Sequence, residues 1–215
     1  VDARQARFGR RHAERGGGAT DEDARVGRRR RARGHDVDGP RLYERAHTIL
    51  TDAGDVLGAA RILVNIAEVV LSTGDTAKAV EIADAYLRIA RVQGVPAAVA
   101  HFGEFAAAEE SLGKAREFAD AVLLRRPHDR RALLLSAEID HDWMTVANFQ
   151  DRRREALSQG RTAADHLERL FAVGGAMPDE IDTATHIYSN VASAYINCHG
   201  LEPAIGFARR ALEIS

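Results

Sequence analysis

The sequence predicts an all-α fold, an α-solenoid of antiparallel helix pairs, and three observations carry that expectation. First, one pattern of small and bulky residues recurs. It reads Ile66-Ala67, Val70, Ala79, Ala83 and Tyr86, then Phe102-Gly103, Ala106, Ala115, Ala119 and Val122, then Val191-Ala192, Tyr195, Ala204, Ala208 and Ala211. Second, alanines follow the small residue of each doublet at 12 and 16 positions, which lets two antiparallel helices approach closely. Third, helical periodicity with Gly and Pro punctuation begins at Pro40 and still runs at the last residue. A helix pair of this kind cannot bury its apolar face alone and must stack on copies of itself.

Residues 1–38 differ from the rest. Eleven arginines face seven acids there, glycine is frequent, and apolar residues are few and aperiodic. Such a segment cannot offset its ordering entropy, so a disordered Arg/Gly-rich tail is expected before a repeat domain at 39–215. The run Arg28–Arg33 could contact phosphates, but no aromatic platform accompanies it and acids flank it, so nucleic acid is a disfavoured partner.

Pro40 suits a helix N-terminus, and Leu42, Tyr43, Ala46, Ile49 and Leu50 share a face to about Thr51. A second helix is expected over about 56–72, the turn Thr73-Gly74-Asp75 follows, and a third helix covers about 76–91. Gln93-Gly94 ends it. Pro96 opens a helix to about Ala108, and Gly113 to about Arg125 forms its partner, closed by Pro127. Asp129 caps a helix to about Trp143. The stretch 144–171 predicts an extended helix interrupted at Gly160, carrying Leu157, Ala164, Leu167 and Leu170 inward. Gly174-Gly175 and Pro178 mark a loop, and 182–197 with 202–214 form the last pair. Counting these pairs gives about four and a half repeats.

Composition narrows the function classes. With 45% hydrophobic residues a substantial core is available, and a net charge of −2 gives no global pull towards nucleic acid or acidic membranes. No apolar run is long enough to span a bilayer, so a membrane is not expected as a partner. Cys198 is the single cysteine, which favours a reducing, cytoplasmic setting. The chain reads as a fragment of a longer protein, because its helical pattern is still running at Ser215.

These residues resemble the tetratricopeptide repeat, a 34-residue helix–turn–helix unit. Tyr188, Val191-Ala192 and Tyr195 match its first helix, as do Leu63, Ile66-Ala67 and Val70, and Val99, Phe102-Gly103 and Ala106. Pro127 falls at the family's closing proline, and Gly74-Asp75 at its turn. The small doublet positions Ala67, Gly103, Ala137 and Ala192 lie 36, 34 and 55 residues apart, so the last interval departs from the family. Asp140 also stands where an aromatic is usual. The resemblance implies a right-handed superhelix of repeats acting as a protein–protein interaction scaffold. Residues 132–215 are also similar to the repeat region of some bacterial serine/threonine protein kinases, on Ala137-Glu138-Ile139, His141-Asp142, Asn190–Tyr195 and Ala208-Arg209-Arg210-Ala211. That likeness implies a non-catalytic regulatory or sensor segment of such a kinase or of a transcription regulator. No kinase motif occurs in the chain itself.

In the repeat family the first helix of each pair lines a concave groove, and the position after the doublet faces it. Those residues are Glu68, Glu104, Glu138 and Ser193, an acidic stripe suited to a basic or amphipathic peptide or helical segment. The same glutamates read equally well as solvated helix formers. Asn65 and Asn190 fall where the family clamps a terminal carboxylate, His101 and Leu135 replace the asparagine between them, and Arg61 and Arg131 are the available cations. His186 and Asn197 complete the groove set. With three glutamates alongside, a carboxylate clamp is disfavoured.

Nothing in the chain calls for a catalytic step, a metal or a cofactor. His141 between Asp140 and Asp142 lacks helix-spaced ligands and reads as solvated surface. Cys198 beside His199 reads as a small thiol ending a packed helix. Gly16-Gly17-Gly18 lacks the residues of a phosphate loop, and Trp143-Met144 reads as a plug at a helix junction. Leu42, Tyr43 and Ile49 at one end, and Ile205, Leu212 and Ile214 at the other, lack outer neighbours, so self-association through these ends is a further expectation.

Overall fold

The architecture follows from where amphipathic stretches meet capping residues, as a computed structural model of the chain shows. It describes residues 74–96 and 102–215 continuously, with single helical positions at Arg45, Ile49, Ile62, Ile66 and Val70. The chain divides into two units, Val1–Gly74 and Asp75–Ser215. In the first, Ile62, Ile66 and Val70 are helical and buried, four residues apart on one face, within the helix expected at 56–72. Ile49 is helical but half exposed, so it does not belong to a buried apolar face. The tail expected at 1–38 lies outside the described residues.

The second unit holds six helices among the described residues and no strand: α1 (Thr76–Gln93), α2 (Phe105–Arg125), α3 (Arg130–Phe149), α4 (Arg153–Ala172), α5 (Pro178–Asn197) and α6 (Leu201–Ile214). Helix α1 starts where Asp75 accepts from the Lys78 N–H at 3.0 Å, and it buries Ala79, Val80, Ala83, Tyr86, Leu87 and Ala90. Helix α3 starts in the same way, with Asp129 accepting from the Ala132 N–H at 3.1 Å. Pro178 opens α5, where the Glu180 carboxylate accepts from the Met177 N–H at 2.8 Å. None of these helices is long and apolar enough to cross a membrane.

Consecutive helices pack as α1 with α2, α3 with α4 and α5 with α6. Looser contacts join α2 to α3 and α4 to α5, and α3 also touches α1 and α5 directly. Ser111 at the start of α2 donates to Gln93 at the end of α1 (2.7 Å), while the Tyr86 and Phe118 rings stack 6.1 Å apart, so that pair is antiparallel. Phe207 of α6 packs against Tyr188 and Tyr195 of α5. Helix α3 is the hub. It is buried on nearly every side, including Leu133, Ala137, Ile139, Met144 and Val146.

Three expectations are overturned. The helices expected at 96–108 and 113–125 are not a pair. Residues 105–125 form one continuous helix, and Phe102-Gly103 is an exposed loop with φ +77° at Gly103. Ala108, Leu112, Ala115, Ala119 and Val122 bury one uninterrupted face, which outweighs the cost of about 1 kcal/mol for a glycine at 113. Within the second unit α1 is the first of a pair with α2, while its expected pairing with a helix at about 56–72 falls largely outside the described residues. Its equivalents start 54 residues later at Arg130 and a further 48 later at Pro178.

Second, the break expected at Gly160 falls instead at Gln150–Arg152, with Asp151 at φ +58°. Gly160 sits inside α4 because a Cβ there would come within 2.8 Å of Met144 Sδ and 3.3 Å of a Val191 methyl. Here α4 lies directly against side chains of both α3 and α5. Of the side chains expected inward on α4, Ala164, Leu167 and Leu170 are buried and Leu157 is half-buried. Third, Ala204 and Ala211 are buried against α5 as expected, but Ala208 faces solvent.

Candidate functional site

The inner faces of α1, α3 and α5 enclose an open groove of about 830 Å³. Val95, Met144, Ile187 and Ala194, all nearly fully buried, underlie its floor. Arg91, Glu138, His141, Asp142, Asp182, His186 and Asn190 give it charge and hydrogen bonds. One connected network crosses the groove from α1 to α5. Arg91 Nε donates to Asp142 Oδ2 at 2.6 Å, and its Nη2 reaches Glu138 Oε2 at 3.4 Å. Asp142 Oδ1 lies 3.1 Å from His141 Nδ1. Asn190 Nδ2 lies 2.9 Å from Nε2 of both His141 and His186, whose rings meet edge to face at 5.4 Å.

The donors and acceptors fit one arrangement. The Asp142 carboxylate can only accept, so His141 meets it with Nδ1–H, and the Asn190 amide nitrogen lies within hydrogen-bond reach of both Nε2 atoms. Burial holds the His186 imidazole below its ordinary value, with His141 adding to the effect. Burial also raises the Glu138 carboxyl, and the nearby Arg91 guanidinium opposes that rise. Asp142 is 3% exposed and His141 9%, so the expectation of a solvated His141 is overturned. Two buried polar side chains at consecutive helical positions persist because each has a partner.

Of the expected groove residues, Glu138, His186, Asn190, Ser193 and Asn197 all line this groove. Glu104 does not. It occupies the loop position capping α2, exposed, with its N–H bonded to the Gln93 carbonyl at 2.9 Å. Arg131 is exposed on the first turn of α3 and is not among the lining residues. Arg61, Asn65, Glu68 and His101 lie outside the described residues. The acidic stripe is therefore not assembled among the described residues, since Glu138 faces Arg91 and Glu104 sits on another element. Sequence reasoning missed Arg91, because α1 had been assigned the outer role, and it missed His141 and Asp142. The legible signal was Asp140, a charge standing where the repeat wants an aromatic.

Asp140 points the other way, into a smaller cleft of about 240 Å³ between α2, α3 and α4. Its carboxylate pairs with Arg116, which also donates to Gln159 at 2.8 Å and lies 4.4 Å over the Trp143 ring. His166 Nε2 lies 3.4 Å from Asp140 Oδ2. Burial pushes the Asp140 carboxyl up to about 6, against the pull of Arg116, and pushes the His166 imidazole down to about 4. No group of three or more potential ligands is placed to hold a metal ion among the described residues. The chain matches no family model, and no curated protein matches it.

Proposed function

We propose that this chain is a non-catalytic α-solenoid of the tetratricopeptide kind, and that its groove receives a basic or amphipathic peptide or helical segment in a reducing, cytoplasmic setting. The observation that carries this reading is the groove's composition. Three carboxylates, Glu138, Asp142 and Asp182, face one guanidinium, beside an apolar floor that a helix face or extended peptide could cover. Asp182 is exposed and makes no ion pair among the described residues, while Glu138 and Asp142 are already paired with Arg91, so it is the carboxylate most available to a ligand cation. The volume lies within the roughly 300–1,000 Å³ of ordinary ligand clefts. His141 Nε2 is engaged by the Asn190 amide 2.9 Å away, which supports the non-catalytic reading.

Of the residues that carry the kinase-region likeness, Glu138, His141, Asp142, Asn190, Ser193 and Ala194 meet in this groove. That favours a second reading in which the groove docks a neighbouring domain of the same regulator.

The test is fluorescence anisotropy of the full chain with a labelled Lys/Leu amphipathic peptide and with its Glu/Leu counterpart. The basic peptide is expected to bind at least about tenfold tighter, to weaken with salt, and to lose that advantage in Asp182→Lys. Equal binding of both peptides, or no effect of Asp182→Lys, would overturn the proposal.

A further inference from the structure

Helix α6 carries two apolar faces, and only one of them is buried among the described residues. Ala204 and Ala211 are buried towards α5, with Phe207 and Ile214 half-buried beside them. A second row, Leu201, Ile205, Ala208 and Leu212, lies in solvent, its large side chains 64%, 56% and 78% exposed. The row's spacing of four, three and four residues is that of a coiled-coil seam, not of random surface apolar residues.

We propose that α6 pairs antiparallel with α6 of a second copy of this chain. About a two-fold axis between Gly206 and Phe207, Leu201 meets the partner's Leu212, and Ile205 meets the partner's Ala208. Each central layer thus sets a large side chain against a small one, and each outer layer sets leucine against leucine. The charges choose the direction. Glu202 and Arg209 stand seven residues apart on the solvent edge of the row, both exposed, and neither forms an ion pair among the described residues. Antiparallel packing brings the same edge of both helices together, so Glu202 meets the partner's Arg209 twice, once by each copy. A parallel pair would bring opposite edges together and leave these charges unmatched. Gly206, with nothing within 4 Å of a Cβ, leaves room beside the crossing. Two heptads bury little area, so the dimer is weak, with a Kd on the order of 10–100 µM.

Sedimentation equilibrium of the full chain over a concentration series tests this. Wild type is expected to pass from monomer to dimer. Leu212→Glu is expected to remain monomeric with unchanged helical circular dichroism, because that side chain is 78% exposed. Glu202→Arg and Arg209→Glu are each expected to weaken the dimer about tenfold by setting like charges together, and the double reversal to restore it. A chain that stays monomeric throughout, a dimer that survives Leu212→Glu, or a folded double reversal without recovery would each overturn the proposal. None of these outcomes bears on the groove, whose peptide binding is read separately.

Discussion

Asp140 and Asp142 are two residues apart on one helix, both nearly fully buried, and each is paired with one arginine and one histidine. Their surroundings differ. Asp142 belongs to a chain of contacts that runs through His141 and Asn190 to His186 at the edge of an open groove. Asp140 is enclosed between α2, α3 and α4, where Trp143 and Ile139 leave it little besides Arg116 to offset desolvation. The same pair of residue types therefore does two things. On the enclosed side it fastens three helices together, and on the groove side it fixes the protonation and orientation of side chains that a ligand would meet.

Removing the cation from each side separates these roles, and the enclosed side is expected to suffer more. Arg116→Ala strands a buried carboxylate, and a cost of about 3 kcal/mol at pH 8 is expected in urea unfolding. At pH 5 the cost is expected to shrink, because burial lets Asp140 take up a proton and cease to need its partner. Arg91→Ala leaves Asp142 with the His141 N–H and with access to groove water, so about 1.5 kcal/mol is expected there. Equal costs, or a loss at Arg116 that ignores pH, would mean that the two clusters are not distinct.

The enclosed cluster also holds two opposed titrations. Folded Asp140 keeps a proton up to about pH 6 that the unfolded chain has released, so its contribution to stability falls as pH rises towards 6. Folded His166 refuses, down to about pH 4, a proton that the unfolded chain accepts below about 6.5, so its contribution rises with pH over that interval. The two nearly cancel in the native chain. Asp140→Asn is expected to expose the His166 dependence, with stability gaining about 2 kcal/mol between pH 4 and 6.5, and His166→Gln to expose the opposite slope. Thermal melts of both variants across that range decide it, and parallel profiles would show that the groups do not titrate as their burial dictates.

How much of this was legible differs between the two halves of the second unit. On α5 and α6 the doublet Val191-Ala192, the aromatics Tyr188 and Tyr195, and Ala204 are buried as their spacing implies, and His186, Asn190, Ser193 and Asn197 fall together along the groove. Between Val95 and Arg125 the same pattern misled. Phe102-Gly103 imitates a helix doublet in sequence, yet Gly103 adopts a left-handed backbone, and the helix that follows has enough buried face to run through Gly113. Arg91 was hidden because α1 reads in sequence as the outer partner of a helix at about 56–72, whereas it lines the groove together with α3 and α5. His141 and Asp142 were hidden for a different reason. Neighbouring helical residues point to different faces, but on a helix buried all round every face has a partner, and only the tertiary packing says which.

The groove side makes a smaller and sharper demand. Besides the ring contact between them, Asn190 bridges His141 of α3 and His186 of α5, its amide nitrogen 2.9 Å from each Nε2. Asn190→Ala is expected to cost only about 1 kcal/mol of stability, because His186 can turn to water while His141 keeps its bond to Asp142. Asn190→Asp is the informative change. A carboxylate there cannot donate, so the facing His186 imidazole must bring a proton on Nε2, and His186, held low by burial in the native chain, is expected to titrate at higher pH. Imidazole proton shifts followed by NMR against pH read this directly. If Asn190→Asp leaves the titration of His186 where it was, the amide is not the bridge between the helices, and the groove side of α3 is only a wall.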